Sequence, residues 1–203
     1  MTIFPLPIFN LFRRFPAVPS WFTTSNGYRL FTRFIRADDA PRLLDLFERL
    51  SPDSRRRRFH ETLDHLSAET KQQYATWLAS VDNRTTGGAV VAVDRHDEPE
   101  AIVGVARLAR PADAPDATEA EAAVVVRDDF QGTGVGLQLV RRLVTLARRM
   151  RVRTVIATIQ SDNLVVLRLI RSLRLPMTIE TRGGEMVLHI AMTQPRPRRT
   201  KAS

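Results

Sequence analysis

The stretch that most restricts how this chain can fold runs from Val124 to Gly136: three consecutive valines, a polar turn, glycine at 132, 134 and 136, then a long helical pattern. Consecutive β-branched residues favour a strand, and closely spaced glycines let the backbone turn tightly and approach a ligand. From Val135 to Met150, apolar residues recur at Val135, Leu139, Leu143, Leu146 and Met150 with Val140, Val144 and Ala147 beside them, a broad stripe at helical period. A strand that enters a helix through such a turn leaves the amides of the first helical turn free and adds the helix dipole. The junction therefore predicts a phosphate or diphosphate site. A plain strand-to-helix connection needs fewer glycines.

The elements on either side set the architecture, and no internal repeat interrupts them. Tyr28 to Ile35 reads as a first strand, and Leu43, Leu44, Leu46, Phe47 and Leu50 keep one apolar face through a helix. Ser51-Pro52-Asp53-Ser54 is a helix start, with Ser51 as cap and Pro52 at the first position. A further helix spans Thr70 to Ala79, and strands at Ala89 to Val93 and Ala101 to Ala109 pair as a hairpin. Beyond the Pro111 to Thr118 loop come the central strand Ala120 to Val126, the glycine turn and the long helix. A strand at Val152 to Ile159, a helix at Asn163 to Leu173 and two closing strands around Gly183-Gly184 complete the order. The expectation is an α/β domain with a mixed sheet (α+β mixed sheet) flanked by helices. It is divided as an apolar, aromatic N-terminal extension over 1–26, the domain over 27–193 and a basic tail over 194–203.

Composition narrows the chemistry. At 203 residues, with 43% hydrophobic and 26% charged, the chain suits one globular domain. With no cysteine, disulfides, thiolate metal sites and a cysteine nucleophile drop out, which fits a reducing cytoplasm. His60, His65, His96 and His189 have no metal-like spacing, so no metal is expected. Net charge is +9, almost all of it from arginine because lysine occurs only at 71 and 201. The arginine clusters lack interleaved aromatics for stacking on bases, so they read as solvated surface rather than a specific nucleic-acid interface. The first residues carry Phe4, Phe9, Phe12 and Phe15 among Pro5, Pro7, Pro16 and Pro19. That is neither signal peptide nor membrane span, and it reads as a loosely packed extension. Oligomeric state is not legible.

Which ligand the glycine turn would take depends on its neighbours. A Walker turn needs lysine and a hydroxyl residue after its last glycine, where Leu137 and Gln138 stand. The dinucleotide fingerprint needs a third glycine at 137 and normally follows the first strand of a sheet, so it fits less well. Gln131, Gly134 and Gly136 match Q/R-x-x-G-x-G/A, and the turn resembles the acetyl-CoA motif of the GNAT N-acetyltransferases. The element order from about Tyr28 to Thr193 is similar to that fold. Ala120-Glu121, Phe130-Gln131-Gly132, Ser161-Asp162-Asn163 and Leu50-Ser51-Pro52-Asp53-Ser54 with Arg58-Phe59 resemble the bacterial protein-lysine acetyltransferases of the Pat type. Ser161-Asp162-Asn163 also spells a β-lactamase element, but neither S-x-x-K nor K-T-G accompanies it.

The resemblance implies an acyltransferase that uses acetyl-CoA as co-substrate and moves an acetyl group to an amine, with a protein lysine as the favoured acceptor. It implies that Val124, Val125 and Val126 pair with the pantetheine arm and that Gln131, Gly132, Thr133, Gly134, Val135 and Gly136 cradle the diphosphate. Asn163 falls where the family often contacts the pantetheine or thioester, although Ser161, Asp162 and Asn163 also suit helix capping. An amine with a pKa near roughly 10.4 must lose a proton before it attacks. Glu121 holds the position of the Pat-type general base, with Glu119 next on the same face. The tyrosine that often serves as acid in this family is Ile170 here, and Arg174 replaces the usual glycine after that helix. A non-catalytic acyl-CoA-binding protein with this fold is the alternative. Arg55 to Arg58 read as a solvated helix face, with a position near the acceptor groove or the nucleotide 3′-phosphate as the other reading.

Overall fold

The computed structural model describes residues 15–59, 66–96 and 99–192, Phe59 by its backbone alone. In chain order the elements are β1 (Ser20–Thr23), β2 (Arg29–Phe34), α1 (Ala40–Glu48), α2 (Pro52–Phe59), α3 (Ala68–Ala79), β3 (Gly87–Asp94), β4 (Ala101–Ala109), β5 (Glu119–Val126), α4 (Val135–Arg149), β6 (Thr154–Gln160), α5 (Leu164–Arg171), β7 (Met177–Arg182) and β8 (Glu185–Ala191). They form one mixed sheet in the order β1-β2-β3-β4-β5-β6-β8-β7. Neighbours are antiparallel except β5 and β6, which run parallel.

Alternation along the strands feeds two cores. Ala122, Val124 and Val126 of β5 pack with the stripe of α4, in which Leu139, Leu146 and Ala147 are fully buried. Val125 and Val105 face the other way, toward Leu43 and Leu46 of α1 and Ala75 and Ala79 of α3. The periodic stripe read from Val135 to Met150 is thus α4, lying across the sheet. Each fully buried leucine on it contributes about 1.5–3 kcal/mol.

Strand β1 lies within the segment read from sequence as an extension, and it pairs with β2 from Ser20↔Thr32 to Thr23↔Arg29. Ahead of it, Phe15 sits under Arg148, and the Pro16 carbonyl accepts a hydrogen bond from Thr145 at 3.0 Å. Arg142 of α4 donates to Ser20 Oγ at 2.8 Å and to Gln138 Oε1 at 2.7 Å. Burial, with Arg141 beside it, pulls that guanidinium down to about 10, which leaves it charged at neutral pH. Phe4, Phe9, Phe12 and the basic tail lie outside the described residues.

One buried ion pair anchors the first half of the chain. Arg33, 4% exposed, makes two hydrogen bonds to Asp39, which is 0% exposed, at 2.6 and 2.7 Å. Burial pushes the Asp39 carboxyl up, but the hydrogen bonds from Arg33 and the Arg36 amide, with the charges of Arg33 and Arg42, outweigh it and hold it below the ordinary range. The folded carboxyl therefore takes up a proton less readily than the unfolded one. Its contribution is fully present above the usual aspartate value of about 3.9 and is lost as pH falls through the lower folded value. Thermal melts from pH 7 to pH 2 should show this as an acid limb that is shallower in Asp39→Asn. Equal slopes would mean that the pair does not govern acid stability.

Candidate functional site

Beside the glycine turn, the sheet parts. Strand β6 pairs with β5 only at Glu119↔Thr154, Ala120↔Val155 and Glu121↔Ile156. Beyond Glu121, β5 continues to Val126 paired with β4 alone, while β6 continues to Gln160 paired with β8. The opening between them is a cleft of ≈ 420 Å³, whose lining includes Glu121, Val124, Ala157, Asn163, Val166 and Ile170. One edge of β5 from 122 to 126 thus faces a groove in place of a strand, and its backbone N–H and C=O groups can pair with an extended ligand.

The glycine turn lies past the far end of β5. Gly132 and Gly134 have φ of +73° and +95°, and a Cβ at either would meet nothing within 4 Å. Both need the left-handed region that only glycine enters at low cost, and both leave open space above the turn. Gly136 has another role: a Cβ there would come within 3.1 Å of Leu169 Cδ1 on α5, so its hydrogen lets the two helices close together. Among the described residues, no hydrogen-bond acceptor takes the N–H groups of Gly132, Thr133, Gly134, Val135 or Gly136. These donors stand at the N-terminus of α4, where the dipole favours an anion.

Gln131 behaves differently from its neighbours. Its amide is spent on the Asp128 carbonyl at 3.2 Å, and its Nε2 turns back to the Val126 carbonyl and Ser54 Oγ, both at 3.0 Å. Asp128 is the hub that sequence reasoning missed. It accepts from the Ser51 amide at 2.9 Å, from Ser51 Oγ at 2.8 Å and from Ser54 Oγ at 2.7 Å, tying the start of α2 to the turn. Partial burial pushes its carboxyl up, but the Ser51 amide and the two hydroxyls outweigh that and hold it low. Its partners lie 74 and 77 residues away along the chain, so no local pattern could disclose them. Asp128→Ala is expected to cost about 1 kcal/mol of stability and to raise the KM for acetyl-CoA severalfold. Thermal melts and donor-saturation kinetics measure the two effects.

The other anticipated residues are spread between the cleft and its surroundings. Glu121 is exposed and sits in the last β5–β6 pair, at the point of parting, whereas Glu119 lies two residues further from the opening. Asn163 does two things: its Oδ1 accepts from the Val166 amide at 3.3 Å as the cap of α5, and it lines the cleft. Ile170 is buried in the cleft wall. Arg174 takes φ +52°, the conformation a glycine would take there. Of the four arginines of α2, Arg55 folds back onto the Phe47 and Glu48 carbonyls, Arg56 and Arg57 both pair with Asp53, and Arg57 and Arg58 line the cleft.

A family model for the acetyltransferase (GNAT) domain matches residues 29–175. The chain belongs to the GNAT acetyltransferases. An acetyltransferase of Pseudomonas aeruginosa is 31% identical over 124 residues, which are 61% of this chain and 62% of that protein, so the chain spans about three-fifths of this curated relative. Among solved structures, the GNAT domain of S. lividans PAT matches with a TM-score of 0.70 and 23% identity, covering 85% of this chain and 96% of that one. The protein yncA of Salmonella typhimurium, solved with its cofactor acetyl-CoA, matches at 0.59 and 18% identity over 84% and 98% of the two chains. A cAMP-binding acyltransferase from Mycobacterium smegmatis matches at 0.57 and 20% identity, covering 87% of this chain and 48% of that one. At these identities the likeness is one of GNAT fold. Among the described residues, no helix is long and apolar enough to cross a membrane.

Proposed function

We propose that this GNAT protein transfers the acetyl group of acetyl-CoA to an amine, with a protein lysine as acceptor, by direct attack while donor and acceptor are bound together. The observation that carries the reading is the parting of β5 from β6, with uncommitted amides at the adjoining helix start. In this reading Gly132 to Gly136 donate to the diphosphate, the open edge at Val124 to Val126 pairs with the pantetheine amides, and Asn163 contacts the arm near the thioester. Gln131 shapes the turn from behind.

Glu121, where the strands separate, takes the proton of the incoming ammonium, directly or through a water. The freed nitrogen attacks the thioester carbon and forms the C–N bond, and backbone donors at the strand edge meet the oxyanion. The carbonyl re-forms as the C–S bond breaks, the nitrogen's remaining extra proton passing to solvent. Coenzyme A leaves as a thiolate, a weak enough base to depart without a strong acid, which fits Ile170 where a tyrosine is common in the family. The lysine acceptor rests on the Pat-type resemblance at Ala120-Glu121 and Ser51 to Ser54. A cytoplasmic address is part of the same proposal and rests on the cysteine-free composition.

Ile170 also favours a second reading, in which the protein binds acyl-CoA without turning it over. Coenzyme A release from acetyl-CoA, followed with and without lysine peptides, separates the two. Peptide-dependent release is expected; calorimetric binding of acetyl-CoA with no release for any amine would leave the binding protein.

A further inference from the structure

Next to the cleft, on the face of the sheet that α1 and α3 cover, stands a charge that the transfer chemistry leaves unused. Arg107 of β4 is paired directly with Ala123 of β5, two residues along from Glu121 and therefore on the same face. As diagonal neighbours, Arg107 and Glu121 lie roughly 7–8 Å apart, with their Cβ atoms somewhat closer. The Arg107 guanidinium gives one N–H to the Leu78 carbonyl at 2.8 Å and lies over the Trp77 ring at 4.8 Å. Among the described residues no carboxylate pairs with it, and its other N–H groups are uncommitted. Trp77 and Tyr74, 59% and 44% exposed with rings 5.6 Å apart and tilted by 33°, form an aromatic shelf next to it.

A second cation stands close by. Arg58 of α2 lines the cleft with Glu121, and it is near enough to Arg107 for their charges to repel. Burial lowers the pKa of both groups, with Tyr74 opposing in each case, and the charge of Arg107 lowers that of Arg58 further. An uncommitted guanidinium fork with a second cation nearby favours an anion placed against it. The phosphates of the donor do not suit that place. Ala123, opposite Arg107, lies three residues back from Val126, roughly 10 Å from the end of β5 where the turn begins.

We propose that Arg107 selects an acceptor amine that has a carboxylate beside it, so that the preferred substrate is a lysine flanked by aspartate or glutamate. The amine points to Glu121 while the neighbouring carboxylate meets the Arg107 fork, and the Trp77–Tyr74 shelf supports the side chains between them. This deepens the transferase reading given above and rests on it.

Three peptides that differ only in the residues flanking one lysine (Asp, Ser or Arg) test the proposal. With the full chain at low salt, kcat/KM should fall about tenfold from the acidic to the neutral peptide and again to the basic one, and the differences should shrink as ionic strength rises. Arg107→Gln should erase the advantage of the acidic peptide through KM, leaving kcat near wild type. Arg107→Glu should invert the order, a result that loss of structure alone cannot give. Equal kcat/KM for the three peptides, or an unchanged order in Arg107→Gln, overturns the proposal. Calorimetry of the same peptides on the acetyl-CoA-saturated protein covers the case without turnover. Binding of the acidic peptide that depends on Arg107 then upholds the anion site and removes the lysine transferase reading, while no binding removes both.

Discussion

Glu121→Gln is expected to lower kcat for lysine-peptide acetylation by about 10²- to 10⁴-fold, the usual worth of a positioned general base, while the KM for acetyl-CoA stays close to wild type. The reasoning is geometric. Glu121 occupies the last register pair before β5 and β6 separate, so it stands at the inner end of the groove that would hold the donor. Glutamine keeps the size and hydrogen-bonding reach of the side chain but cannot accept a proton at neutral pH. The loss should narrow as pH rises toward the amine's own pKa of about 10.4, because the acceptor then arrives deprotonated. A variant with wild-type kcat at pH 7 would remove Glu121 from the chemistry. Glu119→Gln, two residues away and outside the cleft, serves as the matched control.

The second large effect is expected from the turn. Gly134→Val should weaken acetyl-CoA about 10- to 100-fold, matching the strain of roughly 1–3 kcal/mol stored by a side chain forced into a sparsely populated backbone region. At +95° the backbone of Gly134 lies where β-branched residues do not go, and the new methyl groups would occupy the open space above the unpartnered amides. Donor affinity, read by calorimetry, should fall while the far-UV spectrum stays unchanged. At saturating donor, kcat should recover most of its value, since the variant does not touch Glu121. Undiminished affinity in a folded variant would mean that the diphosphate does not sit on this turn.

How far the sequence announced these features depended on whether their signal was local. The glycines at 132, 134 and 136 and the stripe from Val135 to Met150 are periodic over a short span, and they stand in the structure as the turn and α4. The same holds for α2, where Ser51 and Pro52 mark the helix start and Ser51 Oγ accepts from the Ser54 amide at 3.2 Å. Strand β1 was not legible, because Ser20–Thr23 is short and follows prolines, and its place is set by β2. Nor was the parting of β5 and β6. Val124 to Val126 have the residues of a fully paired central strand, and only the register shows that one edge has no partner. Arg107 carries no local signal; its setting depends on Leu78 and Trp77 of a helix some thirty residues earlier and on Ala123 of the next strand.

The short β5–β6 ladder has a mechanical consequence. Three residue pairs and the Thr118 carbonyl, which accepts from the Arg153 and Thr154 amides, join the block β1 to β5 to the block β6 to β8, together with the packing of α4 and α5. A donor lying along the open edge would act as a seam weld, replacing the strand contacts that the parting removed. The empty protein should therefore open first along this line, with amides of residues 154–191 exchanging or being cleaved before those of β3 and β4, and saturation with coenzyme A should close that route.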